Sequence, residues 1–370
     1  MASARGLKNC SMTYNLLPSP IVDRYAIQYS ELVYEAVTIY KNSDDKWGVI
    51  REITPGVFSI LVEPVYNSIS FNPVLNYLQA VFYPEDHWQV DGKNFYFYDV
   101  NGQVQASVLG VSTVQIDEGG FLLVLKEDAM GLLDNKGRSV IPFSYVSLHF
   151  LQAGIYKAQQ GDGYGIIDVS ENVLLDFKYR YIFNQVKNDR VIVQDLNGRY
   201  FTFHFPTREL HALPYDSIFL ASPNIAAEGK TAPGLYKVIR QCQETEFDYY
   251  DNGMSAFTGI WGIINADGVV KIPCDYAFVD VFEDTGFFKV AKGVFNFYFE
   301  EDTGNLIAEG VKWGVVDANN KIIVPIEYDW VQEAGEGQWV VNKGGTVYFN
   351  EGYEEEHWTV RGGKSEPYLL

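Results

Sequence analysis

Apolar and polar residues alternate in short runs along most of the chain. Residues 121–131 read FLLVLKEDAMG, 155–165 read IYKAQQGDGYG and 287–295 read FFKVAKGVF. Alternation with period 2 turns one side of an extended chain toward a core and the other toward solvent, which predicts a β-strand with one buried face. Such runs close with a large apolar residue followed by Gly, and the same closing pair returns at intervals along the chain.

The recurrence has a register, seen best by setting IWGIINADGVVKIPCDY (260–276) beside KWGVVDANNKIIVPIEY (312–328). With the second residue of the Trp-Gly pair as origin, equivalents fall at Gly48, Tyr96, Gly131, Gly165, Phe201, Gly262 and Gly314, and three consecutive spacings are 35, 34 and 36 residues. The preceding column holds Trp47, Phe95, Met130, Tyr164, Tyr200, Trp261 and Trp313. Bulk is kept there while chemistry varies, as at a core position. Three residues after the origin stand Asp99, Asp134, Asp168, Asn265 and Asp317, with Gly102, Gly137 and Gly268 three further on. Asp or Asn caps nearby N–H groups and Gly tolerates positive φ, so this is a hairpin turn.

Pro142, Pro273 and Pro325 follow in a fixed column that holds Asp176 in the fourth unit. Three residues beyond it stand Tyr145, Tyr179, Tyr276 and Tyr328. Proline donates no ladder hydrogen bond and marks a strand end or edge. A unit of about 34 residues is therefore expected to hold two strands joined by a D-x-x-G turn, a Pro-x-x-Tyr corner and a third short strand. Three strands hardly bury their own face, so units must stack on neighbours.

The expected architecture is all-β, a tandem-repeat array of about seven such three-stranded units in an open, curved, solenoid-like arrangement. The alternative is a β-propeller, for which seven units suit but the unit falls short of the ~40–45 residues of a blade. Residues 1–45 are expected to form an N-terminal cap, 46–345 the repeat domain and 346–370 a C-terminal cap. Insertions are expected at 221–258 and 292–310, the second as a hairpin. Units two and five keep the strand-turn-strand shape and lose the Gly of the register.

Composition narrows the function classes. Of 370 residues, 26 are Tyr, 24 Phe and 7 Trp, which favours pleated surfaces over helices. The formal net charge of −20, from 48 acidic and 28 basic residues, repels phosphate backbones and anionic membranes. It leaves simple solubility or attraction to a basic partner. Cys10, Cys242 and Cys274 lack CxxC spacing and read as free thiols. The N-terminal residues lack a signal-peptide apolar core, and no run approaches the ~18 apolar residues of a membrane span, so a cytoplasmic protein is expected.

Chemistry outside the repeat is sparse. His87, His149, His204, His211 and His357 form no metal-ligand spacing, although His204 and His211 flank one turn. There is no G-x-S-x-G, P-loop or G-x-G-x-x-G. Glu300-Glu301-Asp302 and Glu354-Glu355-Glu356 lack EF-hand spacing. No catalytic, metal or cofactor site is expected, and the recurring Asp residues read as turn residues.

The pattern K-W-G-[VI]-[VI]-D-x-x-x-x-[IV]-[IV]-x-P-x-x-Y-D resembles the WG, or KWG, repeat of mostly bacterial proteins. It is carried most closely by Lys46-Trp47-Gly48, Ile260-Trp261-Gly262 and Lys312-Trp313-Gly314, and in part by Gly131-Leu132-Leu133-Asp134 and Gly165-Ile166-Ile167-Asp168. The resemblance spans residues 46 to 345 and implies a repetitive β architecture used for interaction or scaffolding. The leading expectation is a non-catalytic scaffold that binds a protein or peptide, with the insertions contributing the surface. A carbohydrate-binding module with exposed Tyr and Trp platforms, suggested by YPEDHW (83–88), is the alternative, and a carboxylate-based hydrolase a remote one. Nothing in the pattern sets the oligomeric state.

Overall fold

The computed structural model describes residues 17–84, 92–221, 234–249, 252–282, 286–300, 305–335, 338–351 and 356–368. The calls on Cys10, His87 and most of YPEDHW lie outside them. The chain divides into two compact units, Met1–Phe177 and Lys178–Leu370. Both are built from antiparallel meanders in which neighbouring strands are consecutive in sequence, except where Leu306–Asp317 also pairs Gln338–Glu351.

The all-β tandem-repeat reading holds, with one strand more in each unit than the sequence predicts. The third unit shows the plan: Thr113–Ile116, Leu122–Lys126, Ala129–Leu133 and Ser139–Tyr145 pair in that order as a four-stranded sheet. The origin residue always lies on the third strand, from Gly48 in Trp47–Thr54 to Gly314 in Leu306–Asp317. The additional strand is the first, and it hides because only one residue separates it from the preceding unit. Tyr145 ends one sheet, Val146 turns the corner, and Ser147–Gln152 opens the next. The sequence Tyr276, Ala277, Phe278 repeats the corner between the sixth and seventh units.

Successive sheets stack, and the inner strands are buried on both faces. Leu122 and Val124 pack with Phe95 and Phe97 of the second unit, while Leu123 and Leu132 pack with Tyr156 and Ala158 of the fourth. Continuous runs such as FLLVL follow from this double burial, where one buried face was expected. In the second compact unit Trp261, Phe278, Val290 and Trp313 share one core. At the other end of the chain the helix Ser19–Tyr25 lays Ile21, Val22 and Tyr25 on Ile27, Tyr40 and Ile50. Of the residues 1–45 expected as a cap, Ser19–Tyr25 are helical and residues 27–42 supply the first two strands of unit one.

The Gly of the register is required by close approach. Trp313 pairs with Tyr328 and Val315 with Val324, so two additional residues bulge from the fourth strand opposite Gly314. A Cβ there would lie 2.6 Å from the Val324 carbonyl oxygen. Gly48, Gly131 and Gly262 face the same bulge. Pro142, Pro273 and Pro325 stand inside it, where no ladder donor is needed. They are mid-strand residues, not the corner the sequence suggested. Units two and five carry Tyr96 and Phe201 instead, and there the pairing runs straight through Tyr96↔Ser107 and Phe201↔Ala212.

The other repeat columns divide between turn and pin. Asp134 Oδ1 accepts N–H bonds from Lys136 and Arg138 at 2.9 Å, and Asp168 and Asp317 make the same pair of bonds in their own turns. Tyr145, Tyr179, Tyr276 and Tyr328 are all buried. Tyr276 donates to Asn320 Oδ1 at 2.7 Å, and Tyr145 hydrogen-bonds Glu171, each in the turn of the following unit. Glu171 and Asn320 occupy the Gly column of that turn with φ of 61° and 60°. The strain of a non-Gly residue there is offset by a bond between units. In unit one Tyr66 hydrogen-bonds Tyr98, which lies on the third strand of unit two and not in its turn. Sequence columns miss Tyr66 because the first unit's hairpin is four residues longer.

Candidate functional site: three arms and the groove between two of them

In the third unit the second and third strands meet through the two-residue turn Glu127-Asp128, with Lys126 opposite Ala129. In the sixth unit, the seventh unit and the C-terminal segment, a long two-stranded arm replaces that turn. The first arm extends Leu235–Tyr249 and Asn252–Asn265, which stay paired from Leu235↔Asn265 to Tyr249↔Asn252. The second extends Phe287–Phe299 and Leu306–Asp317, and the third is Gln338–Glu351 with Glu356–Tyr368. The stretch 292–310, expected as an inserted hairpin, supplies paired strands of the second arm, with residues 301–304 outside the described ones. The expected insertion at 221–258 is divided: Leu235–Arg240 is a core strand with Tyr236, Val238 and Ile239 fully buried. The stretch beyond it is the first arm.

The first and second arms leave their sheets through a bulge within one residue of the same position, and the third continues in unbroken register. The first is irregular between Arg240 and Gln243, opposite Gly259. The second is irregular between Gly293 and Asn296, opposite Gly310. In the third, Gly344 and Gly363 fall between the pairs Lys343↔Lys364 and Gly345↔Gly362 without a change of register. Gly293, Gly310, Gly344 and Gly363 have φ of 126°, 88°, 78° and 68°, which glycine alone adopts without strain. Beyond these glycines the second and third arms join through Leu306↔Phe349 and Ile307↔Tyr348. The first arm packs its Phe247 and Ala256 on them, closing a small second core with Leu306, Ala308, Phe297 and Phe349.

Between this core and the sheets lies a groove of about 560 Å³. Gln241, Gln243 and Thr245 of the first arm line one wall, and Val294, Phe295 and Asn296 of the second line the other. Its volume falls in the range of ligand sites. Val294 is 82% exposed, the most exposed large hydrophobic residue among the described ones. The edge of the second arm is open here as well. Phe287–Phe299 is flanked by Phe278–Val281 only from Phe288 to Ala291, and among the described residues no strand covers Gly293 to Tyr298. Glu309 holds that strand's outer face, accepting from Asn296 and Tyr298 at 3.2 Å each.

Elsewhere the chemistry is structural. The Lys289 amine is 2.9 Å from the Trp330 ring centroid and 4.6 Å from that of Trp313. Burial holds its pKa well below the usual lysine range, and Asp280 only partly opposes this. Asp280 is also reached by Lys237 at 3.4 Å. Among the described residues no cluster of three His, Cys, Asp or Glu has metal-binding geometry. His204 bonds Thr207 at 2.9 Å and stands opposite Glu209, not His211. Trp261, Trp313, Trp330 and Trp339 are buried, and Trp47 and Trp358 half-buried, so these rings fill cores and offer no open platform. Among the described residues no helix is long and apolar enough to cross a membrane.

The family model described as the WG containing repeat matches residues 261–293 and 313–345, in the two units that carry the first and second arms. No curated protein matches the sequence. Among solved structures, Kluyveromyces lactis Hsv2p is 12% identical over 81% of this chain and 97% of that chain, with a TM-score of 0.32. A eukaryotic initiation factor is 10% identical over 87% and 84%, with a TM-score of 0.38. At such TM-scores these likenesses carry no argument about shape or function.

Proposed function

The chain is a WG-repeat protein, and on that premise we propose that it is a non-catalytic scaffold which holds a protein or peptide partner in the groove between its first and second arms. One observation carries this reading. Segments far apart in sequence leave the repeat at equivalent positions and converge on one shared core and one groove. Repeat packing needs none of them, since the third unit closes the same position with two residues. The groove offers amide and hydroxyl groups beside apolar ones, which is the composition of a recognition surface.

The test places Arg at Gln243 and Val294, both exposed and neither part of a core. Partners captured by the wild-type and the doubly substituted protein are compared by quantitative mass spectrometry. The expected outcome is a partner lost on substitution with the melting temperature unchanged. Identical partner sets on both proteins would sink the proposal.

A further inference from the structure

Resting on that reading, we propose that the partner is a lysine- or arginine-rich segment that binds in extended form, adding as a strand to the open edge of the second arm along Gly293–Tyr298. Three observations support it. The edge itself is the first: Gly293 and Asn296 to Tyr298 pair with the return strand on one side and, among the described residues, with no strand on the other. The Glu300 N–H donates to the Asn305 carbonyl. By the alternation of antiparallel ladders Asn296 and Tyr298 also bond the return strand, and the N–H and C=O of Phe297 point to the open side.

The second is the absence of charge and proline along this edge, whose one interruption is the bulge at Val294 and Phe295. The outer strand of the C-terminal arm ends in Lys364, Ser365, Glu366 and Pro367, whose charges and missing donor blunt an edge. Residues 293–298 read GVFNFY, with no charge and no proline. An edge left in this form is suited to strand addition, in which main-chain bonds supply affinity and alternate side chains supply choice.

The third observation is charge, which selects the occupant. The arm segments 243–258, 294–311 and 345–361 hold twelve carboxylates and a single basic residue, Arg361. More than half of the formal charge of −20 therefore resides in these short stretches. Glu244, Glu246 and Glu309 are exposed, while the groove itself is lined by uncharged groups. Exposed Glu244, Glu246 and Glu309 with a neutral groove floor steer a cationic chain and leave the main-chain contact undisturbed.

A fluorescent peptide of alternating Lys and Thr, titrated against the full chain by anisotropy, tests the inference. Saturable binding is expected, weakening steeply with added salt. N-methylation of alternate peptide residues in one register is expected to lower affinity by ~10-fold or more, while the other register changes it little. Glu244→Gln with Glu246→Gln is expected to reduce affinity ~3-fold and flatten the salt dependence. No binding at low salt, or equal loss with both N-methylated peptides, overturns strand addition. If the peptide fails while partner capture still depends on Gln243 and Val294, the scaffold reading stands without it. If capture ignores those residues, the scaffold reading itself falls.

Discussion

The fourth and fifth units solve the same packing problem differently. In the fourth, Gly165 faces the Leu175 carbonyl so closely that a Cβ would stand 2.7 Å from its oxygen. In the fifth, Phe201 occupies the same column and pairs in straight register with Ala212. The second-strand column differs too, with Lys157 buried in the fourth and Ile192 in the fifth, each facing the residue after the origin. Glycine and close approach thus form a linked pair, and the fold accepts a unit with both or with neither. A one-sided change breaks the link, which is why the column looks strict in five units and lax in two.

The largest effect is expected from Gly165→Val, which drives a side chain into the Leu175 carbonyl and the Phe177 ring. Urea unfolding should show a loss of about 3 kcal/mol or more, because backbone cannot yield as a side chain can. A neutral result would sever the glycine from the bulge.

Next comes Lys157→Ile, which copies the fifth unit. Burial lowers the Lys157 pKa to about 8. The unfolded chain therefore holds the proton more tightly than the folded one, so stability rises with pH between about 8 and the unfolded lysine value. The full penalty is present below pH 8. The substitution should stabilise by about 2 kcal/mol at pH 7, and the gain should shrink as melting is followed toward pH 9.5. A gain independent of pH would refute the charge explanation.

Phe201→Gly should cost only about 1 kcal/mol by the same urea measurement, since no bulge waits to fill the space and strand propensity is the main loss. Smallest is Glu171→Gly, which relieves a left-handed residue and removes the Tyr145 bond. These opposed terms should leave stability within about 0.5 kcal/mol, whereas Tyr145→Phe alone should destabilise by about 1 kcal/mol.

Much of the fold was legible because the repeat writes it seven times. The Asp turns, with Gly closing them at Gly102, Gly137 and Gly268, followed from residue chemistry at fixed offsets. The first strand of each unit was not legible, since Tyr145 and Ser147 are divided by one residue and no turn signal marks the change of sheet. The Pro column was misplaced for a related reason: a missing N–H fits a strand end and a mid-strand bulge equally well. Of the candidate site, the hairpin after Lys292 was visible in FNFYFEEDTGNLIAE. The groove was not, because it depends on Phe247 meeting Phe297 at 5.5 Å, fifty residues away along the chain. Glycine pairs such as Gly344-Gly345 and Gly362-Gly363 were the one available signal that the third hairpin belongs to the same set.

The glycine bulge at the base of the second arm makes that arm a cartridge. The ladder below the bulge, Lys292 opposite Lys312, is matched by Lys126 opposite Ala129 in the third unit. A segment cut from Gly293 to Val311 therefore has a ready socket where Glu127-Asp128 now stands, with no residue of the receiving sheet out of step. New surface can be added to this protein, by evolution or by hand, without rewriting the repeat that carries it.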